Sequence, residues 1–257
     1  MSIFLAGPEP VALAHRGGSL EAPENSRAAV EHTRTLGLRY LETDVRATRD
    51  GVAVLLHDPT LDRVTDGHGR LRDLTWEQVS RLRDASGDRP VRLDELLGDY
   101  PDLRVNIDAK ESAVIAPLVR AVVETRAQDR ICLASFSDDR LRILRTALGP
   151  GVATSLGQAG VATLLAAAQL PELVRRRAVQ ALPTGAVCVQ VPPRHRGLPI
   201  VTDRFLTAAH SGGLAVHVWT IDDPAEMNRL LDLGVDGLVT DRPGVLKDVL
   251  IARGVWR

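Results

Sequence analysis

Two histidines end short apolar segments and could carry proton chemistry. His15 is followed by Arg16 and two glycines, and His57 ends a second apolar run. A histidine with its ordinary pKa of about 6.5 can donate or accept a proton near neutral pH. Arg16 offers paired donors that suit a phosphate, and the glycines would let the backbone approach a ligand closely. Each histidine also has a structural interpretation, as part of a surface His-Arg pair or as a packed residue at a strand end.

Two carboxylates, Glu42 and Asp44, stand two positions apart in the next apolar segment. Strand side chains alternate between faces, so both would point the same way with their backbones about 7 Å apart. Neighbouring carboxylates repel each other unless a cation lies between them, and Mg²⁺ and Ca²⁺ prefer such oxygen ligands. The pair predicts a divalent metal site, and pairing with one of the many arginines is the alternative.

A third segment places Asn106, Asp108 and Lys110 on one strand face. If this strand face is buried, for example inside a barrel, each of these polar groups needs a hydrogen-bond or ion-pair partner. An ion pair between Asp108 and Lys110 would satisfy two of them but would leave Asn106 unexplained. An acid, a lysine and an amide in this arrangement favour a site for a metal and a phosphate.

Two further side chains are candidates for contacts with a substrate. Trp219 follows an apolar strand and is one of three tryptophans, so it would either wall a pocket or fill the core. Gln190 ends another strand and could donate a hydrogen bond to a substrate.

Strand-like and helical patterns alternate along nearly the whole chain. Eight strands with intervening helices predict an α/β fold, a (β/α)8 TIM barrel, and an open doubly wound sheet is the alternative. No G-x-G-x-x-G or G-x-x-x-x-G-K motif supports a nucleotide-binding form of that alternative. The predicted strands are 11–14, 39–45, 104–110, 131–136, 152–156, 186–191, 214–220 and 237–240. The predicted helices are 26–36, 113–126, 139–148, 161–169, 203–210, 225–233 and 243–252.

The alternation is interrupted between residues 49 and 93. Residues 51–58 predict an extra strand in a hairpin with the second barrel strand, turned at residues 49–51. A short helix follows, with Thr75 as its N-cap and Gln78 as the partner in a capping box. We interpret the segment as a small insertion on a single domain that spans residues 1–257.

Composition narrows the classes of function. The formal net charge is -1 without a long run of one sign, which argues against a nucleic-acid binder. No signal peptide is evident in residues 1–10 and no run is long enough for a membrane span, so a cytoplasmic location is the expectation. Cys132 and Cys188 lie in apolar runs and are expected to be buried thiols rather than a disulfide or a zinc site.

Taken together, these segments resemble the glycerophosphodiester phosphodiesterase family. Each matching piece is weak alone, but the ordered set is specific and extends from the first strand to the last. The pieces are His15-Arg16-Gly17, Pro23-Glu24-Asn25-Ser26, Glu42-Thr43-Asp44-Val45, Asp50-Gly51, His57-Asp58, Leu61-Asp62-Arg63, Asn106-Ile107-Asp108-Ala109-Lys110, Ser135-Phe136, Val218-Trp219-Thr220, Asp236-Gly237 and Thr240-Asp241.

The resemblance implies a TIM barrel with an insertion after the second strand and a role for each matching residue. It implies catalytic roles for His15 and His57. It also implies a divalent ion held by three carboxylates, phosphate contacts from two cations, and a tryptophan that lines the substrate pocket. These further residues are Glu42, Asp44, Asp108, Arg16, Lys110 and Trp219.

One departure from the family pattern concerns the third carboxylate. The family usually has Glu in an Asn-Ile-Glu-Ile-Lys-like strand, whereas this chain has Asp108 followed by Ala109. The aspartate is one methylene shorter, so it would ligate through water or favour a different metal.

The implied reaction is the metal-dependent hydrolysis of a glycerophosphodiester to an alcohol and glycerol 3-phosphate. One histidine would deprotonate the nucleophile, either water or a glycerol hydroxyl, and the other would protonate the leaving alcohol. The alternatives are a lysophospholipase-D-like phosphodiesterase, a metal-free phospholipase C, an amidohydrolase and an inactive barrel that binds phosphoesters. Neither the alcohol group nor the oligomeric state follows from the sequence, and an aromatic content of 3% gives no sign of a choline cage.

Overall fold

A closed barrel of parallel strands forms the centre of the molecule. The structure is a computed structural model that describes residues 3–6 and 9–256, so the expectations for residues 1–10 fall partly outside it. Its strands are β1 (Val11–His15), β2 (Tyr40–Ala47), β3 (Ala53–Leu55), β4 (Arg104–Ala109), β5 (Ile131–Ala134), β6 (Ala153–Ser155), β7 (Ala186–Val191), β8 (Arg194–His195), β9 (Leu198–Pro199), β10 (Ala215–Val218) and β11 (Gly237–Thr240). Eight of them pair in the ring β1-β2-β4-β5-β6-β7-β10-β11, and β11 returns to β1. The predicted TIM barrel is confirmed.

The helices cover the outside of this ring. They are α1 (Arg27–Thr35), α2 (Trp76–Val79), α3 (Leu93–Asp99), α4 (Ile115–Glu124), α5 (Asp138–Leu148), α6 (Gln158–Ala167), α7 (Glu172–Gln180), α8 (Asp203–Ser211), α9 (Pro224–Leu233) and α10 (Pro243–Ala252). Their buried faces join the outward strand residues in the largest apolar cluster of the molecule. Two helices, α3 and α7, were not predicted. In α7 only Val179 is buried, so the sequence shows no apolar stripe there.

Strand register explains why polar side chains gather at one end of the barrel. His15 lies beside Glu42, and Glu42 lies beside Asn106. Two positions further along the same two strands, Asp44 lies beside Asp108, and this pair also faces the interior of the barrel. Because parallel strands all end at the same rim, these side chains share the carboxyl end of the barrel.

The opposite end of the barrel is closed by apolar side chains. Phe4 packs edge to face on Tyr40 with ring centroids 5.4 Å apart, and the Tyr40 hydroxyl donates to the Phe4 carbonyl at 2.9 Å. Cys132 and Cys188 lie in this inner cluster as free, buried thiols, as predicted, with their sulfurs 3.8 Å apart. This packing leaves the carboxyl end as the place for a cavity.

The segment between β2 and β4 forms a layer of its own beside the barrel. Strand β3 pairs antiparallel with β2, and the turn between them uses Gly51 at a φ of 77°. Thr75 and Gln78 form the predicted capping box at the start of α2. Beneath this layer lies a small apolar cluster that includes Leu56 and the fully buried Leu61. The backbone that carries His57, just after β3, is therefore held in place by the packing of this cluster.

Within the described residues, no helix combines the length and the apolar character that crossing a bilayer would require.

Candidate active site

A cavity of about 360 Å³ opens at the carboxyl end of the barrel strands. Its lining divides into a charged side, which comes from β1, β2, β4 and the residues after β3, and an apolar side, which comes from the ends of β5, β6, β7 and β10. The structure brings all nine predicted site residues into this one lining. They are His15, Arg16, Glu42, Asp44, His57, Asp108, Lys110, Gln190 and Trp219.

His15, the last residue of β1, is held between two carboxylates. Its Nδ1 lies 2.7 Å from Oδ1 of Asp241, and its Nε2 lies 3.8 Å from Oε2 of Glu42. Burial lowers the pKa of His15, but the negative charge of Glu42 and the hydrogen bond with Asp241 outweigh it and raise the pKa above the usual value. This ring can therefore carry a proton at a higher pH than a free histidine.

His57 follows β3 and is also held through Nδ1. That atom lies 2.8 Å from Oδ1 of Asp58, whose second oxygen accepts from Nε of Arg63 at 2.7 Å. The hydrogen bond from Arg63 is the main reason that the pKa of Asp58 falls to about 2, and the hydrogen bond with His57 lowers it further. An ionised aspartate on Nδ1 favours the imidazole tautomer with its proton on that atom, so Nε2 is left to act on a ligand.

Glu42 is a buried acid whose pKa is strongly raised. Its Oε2 accepts from the backbone N–H of Arg16 at 3.2 Å. Burial, followed by the negative charge of Asp44, raises the pKa of Glu42 to about 7. A cation that enters the cavity beside Glu42 would therefore stabilise the charged form of this carboxylate.

Lys110 joins the other two acids. Its ammonium lies 2.7 Å from Oδ1 of Asp44 and 2.6 Å from Oδ2 of Asp108. Burial raises the pKa of Asp44, but Lys110 and then Arg16 outweigh it, so the pKa is lowered overall. For Asp108, burial outweighs the attraction of Lys110 and the pKa is raised. The ion pair between Asp108 and Lys110, which was the alternative interpretation of this strand, is therefore present, but it does not fully offset the burial of Asp108.

Arg16 reaches two acids from a strained position on the loop after β1. Its Nη1 donates to Glu24 at 3.2 Å and its Nε lies 3.1 Å from Oδ2 of Asp44. Its φ of 53° places the backbone in the left-handed region, which costs a non-glycine residue about 1–2 kcal/mol. Strain of this kind persists where neighbouring contacts fix the conformation.

The two glycines after Arg16 allow the loop to pass close to two helices. A Cβ on Gly17 would lie 2.5 Å from Cβ of Ala29 in α1, and a Cβ on Gly18 would lie 2.6 Å from Cγ of Pro243 in α10. The structure therefore gives these glycines a packing role, and their approach to a ligand stays a prediction.

The remaining predicted residues line the inner and apolar sides of the cavity. The side-chain amide of Gln190 donates to Oδ1 of Asn106 at 3.1 Å and lies 3.4 Å from Nδ1 of His217. Trp219 packs edge to face on Phe136, with ring centroids 6.2 Å apart. Trp219 thus lies at the mouth of the barrel as predicted.

The donor chemistry of the charged side suits a hard cation. Three carboxylates from β2 and β4 face the cavity, and Oδ1 of Asp108 is buried and has no hydrogen-bond partner among the described residues. Among residues 3–6 and 9–256, no group of three or more His, Cys, Asp or Glu side chains stands in place to hold a metal ion. The ammonium of Lys110 lies between the carboxylates of Asp44 and Asp108, at 2.7 and 2.6 Å.

Comparison with known proteins identifies the family. The sequence profile of the glycerophosphoryl diester phosphodiesterase family matches residues 15–245. This chain belongs to that family. Family members are phosphoric diester hydrolases, and the matched range begins at His15 and includes every residue named in the lining of the cavity.

Relatives and solved structures agree with this assignment. The chain is 41% identical over 254 residues to a Mycobacterium tuberculosis protein named "Probable glycerophosphodiester phosphodiesterase 2", covering 98% of this chain and 95% of that protein. A glycerophosphodiester phosphodiesterase from Agrobacterium tumefaciens superposes with a TM-score of 0.73 at 25% identity, covering 93% of this chain and 98% of that one. An Oleispira antarctica phosphodiesterase, solved with the product sn-glycerol-3-phosphate, has the same fold (TM-score 0.75, 21% identity, 95% of this chain and 97% of that one).

Three polar residues of this family member contribute to the site but were not singled out from the sequence. Asp241 holds His15, and Glu24 holds Arg16. Asn25 accepts from Oγ1 of Thr43 at 2.7 Å and donates to Oδ2 of Asp44 at 3.2 Å, from a left-handed φ of 53°. All three lie in motifs shared with the family, and this could have indicated a role in the site. The sequence alone does not show which partner each one contacts.

Proposed function

We propose that this chain hydrolyses glycerophosphodiesters to an alcohol and glycerol 3-phosphate, with a divalent metal ion and two histidines as acid and base. The observation that carries the proposal is the convergence of both histidines, three carboxylates, Arg16 and Lys110 on one cavity of a family member. The names of the relatives support the substrate class, and the sn-glycerol-3-phosphate bound to the Oleispira protein agrees with the product. We also infer that residues 1–257 form one domain with 49–93 as an insertion, and a cytoplasmic location stays a prediction.

Glu42, Asp44 and Asp108 are the residues that would hold the metal. The unpartnered Oδ1 of Asp108 and the raised pKa of Glu42 both favour a cation at this place. When bound, a divalent cation would neutralise charge on the phosphodiester and so favour the transition state.

The chain's own cations would bind the phosphate. Arg16 offers a fork of donors, and Lys110 offers a compact ammonium that is already inside the cavity. Burial lowers the pKa of Lys110, but Asp108 and Asp44 outweigh it and raise the pKa, so Lys110 stays charged across the neutral range.

His15 and His57 would divide the proton transfers. Each has its Nδ1 on an aspartate, so Nε2 is the atom that would act on a substrate, and in His15 this atom lies 3.8 Å from Oε2 of Glu42. Their parallel arrangement supports a reaction in which one ring accepts a proton from the nucleophile and the other donates one to the leaving alcohol.

A second candidate function is the hydrolysis of lysophospholipids by a lysophospholipase-D-like reaction. It is favoured by the apolar side of the cavity, which would accept an acyl chain. That side includes Phe136, Leu156, Val161, Pro192 and Trp219.

A product-resolved hydrolysis screen tests both candidates. The enzyme is supplied with Mg²⁺ or Ca²⁺ and offered glycerophosphocholine, glycerophosphoethanolamine, glycerophosphoglycerol and lysophosphatidylcholine. Release of glycerol 3-phosphate from the first three is the expected result. Turnover of lysophosphatidylcholine alone would select the second candidate, and no turnover of any substrate would identify an inactive barrel.

A further inference from the structure

A chain of five ionisable side chains runs along the outer edge of the cavity from one predicted site residue to another. His57 contacts Asp58, Asp58 contacts Arg63, Arg63 contacts Glu24, and Glu24 contacts Arg16. Its centre is Arg63, in the Leu61-Asp62-Arg63 motif, which the reaction proposed above leaves without a role.

The guanidinium of Arg63 makes three hydrogen bonds in two directions. Nη1 and Nη2 donate to the two carboxylate oxygens of Glu24 at 2.6 and 2.8 Å, while Nε donates to Asp58 at 2.7 Å. Only a planar fork can hold two carboxylates in this way, because a lysine ammonium lacks the fixed angle between its donors. Hydrogen bonds with Glu24 and then with Asp58 raise the pKa of Arg63, so the fork keeps its charge.

The backbone around Arg63 is fixed even though its side chain is about half exposed. Leu61 is fully buried in the cluster below the segment, and its carbonyl accepts from the backbone N–H of Thr65 at 3.0 Å. The guanidinium of Arg63 is therefore carried by a backbone segment that is held in place. Such support would be unnecessary for an ordinary surface ion pair, which typically contributes about 0–1 kcal/mol.

We propose that Arg63 is a positioning residue that orders both ends of the phosphodiesterase site, a proposal that rests on the function proposed above. Through Asp58 it sets the tautomer and orientation of His57. Through Glu24 it holds the guanidinium of Arg16 beside Asp44, where a phosphate would bind. Because one side chain supports a proton-transfer group and a phosphate-binding group together, its loss affects both kcat and KM.

The test compares R63K with a matched control, R229K. Arg229 also makes two hydrogen bonds to one carboxylate, from Nε and Nη2 to Glu226 at 2.7 Å each, and is 53% exposed against 49% for Arg63, but it lies on α9 away from the cavity. Both variants keep the positive charge and lose the fork. We expect R63K to lower kcat about 10- to 100-fold and to raise KM for glycerophosphocholine several-fold, the size usual for groups that orient catalytic residues. R229K is expected to leave both unchanged, with similar melting temperatures for the two variants.

Nitrogen NMR of the His57 ring provides a readout that does not depend on activity. Wild type and R229K should show the proton on Nδ1, and R63K should show a mixture of the two tautomers. R63K kinetics and ring signals equal to those of R229K would overturn the positioning role. A wild type that hydrolyses none of the glycerophosphodiesters, with the tautomer shift still present in R63K, would instead refute the proposed function while upholding the positioning of His57.

Discussion

His15 and His57 are held in the same way although they come from different parts of the barrel rim. Each ring uses Nδ1 on an aspartate, at 2.7 Å for Asp241 and 2.8 Å for Asp58. The aspartates differ in their own partners, since Asp241 accepts from Ser19 at 2.5 Å and Asp58 accepts from Arg63. The two rings are therefore oriented independently of each other, which suits two separate proton transfers.

Replacing either histidine should remove most of the activity without unfolding the chain. We expect H15A and H57A each to lower kcat by about 100- to 10,000-fold, the range usual for general acid and base groups. H68A is the matched control, because His68 is an exposed histidine outside the cavity lining. Circular dichroism and glycerophosphocholine turnover are the measurements. Turnover near the wild-type rate in either H15A or H57A would contradict the assignment of that residue.

The ion pair of Asp58 predicts a pH-dependent contribution to stability. The pKa of Asp58 falls from 3.8 to about 2 on folding, so its stabilising contribution is present above pH 4 and is lost as the pH falls toward 2. Allowing for partial exposure, D58N should lower the free energy of unfolding by roughly 1–2 kcal/mol at pH 7. Urea unfolding of wild type and D58N at pH 7, 4 and 3 measures the difference. A gap between the two proteins that stays constant down to pH 3 would contradict this assignment.

At the scale of elements, the loop after β1 shows why two glycines stand beside a phosphate-binding candidate. Gly17 adopts a φ of 82° against α1, and Gly18 adopts a φ of 94° against α10. Arg16, which precedes them, adopts a left-handed φ of 53°. From the sequence, a glycine that serves a ligand and one that serves a helix look alike, so the packing role was not predicted.

This close packing predicts a difference between two glycine substitutions. G51A should cost about 1 kcal/mol, because Gly51 has a φ of 77° and, among the described residues other than its chain neighbours, no atom lies within 4 Å of an added Cβ. G17A should cost about 2–4 kcal/mol, because the added Cβ also meets Ala29 at 2.5 Å. Urea unfolding at pH 7 measures both, and equal costs would show that α1 can move away from the loop.

The eight barrel strands were predictable because each is a short apolar run between turn residues. Helix α7 was not, because it lies on the surface with one buried residue, and α3 was missed between the predicted insertion, which ends at residue 93, and the predicted strand at 104–110. Strand β5 was predicted to reach residue 136 but ends at Ala134, where the hydroxyl of Ser135 turns back to donate to the Ala109 carbonyl at 2.9 Å. Boundaries of this kind depend on contacts with other strands, which the local sequence does not contain.

At the scale of the whole molecule, closure of the barrel assembles the site. Residues on the strand ends could be predicted because alternation and fold class place them at one rim. The contact between His15 and Asp241 joins residues 226 positions apart and exists only because β11 pairs with β1. The partner of His15 was therefore hidden from the sequence although His15 itself was evident.

Metal-dependent turnover is the measurement that tests the central proposal most directly. The purified enzyme is treated with a chelator, dialysed and assayed for release of glycerol 3-phosphate from glycerophosphocholine, before and after addition of Mg²⁺ or Ca²⁺. We predict that chelation abolishes turnover, that one of these ions restores it, and that E42Q and D108N need more metal for half-maximal activity. Full activity in the chelator-treated enzyme, with no response to either ion, would contradict the role given to Glu42, Asp44 and Asp108.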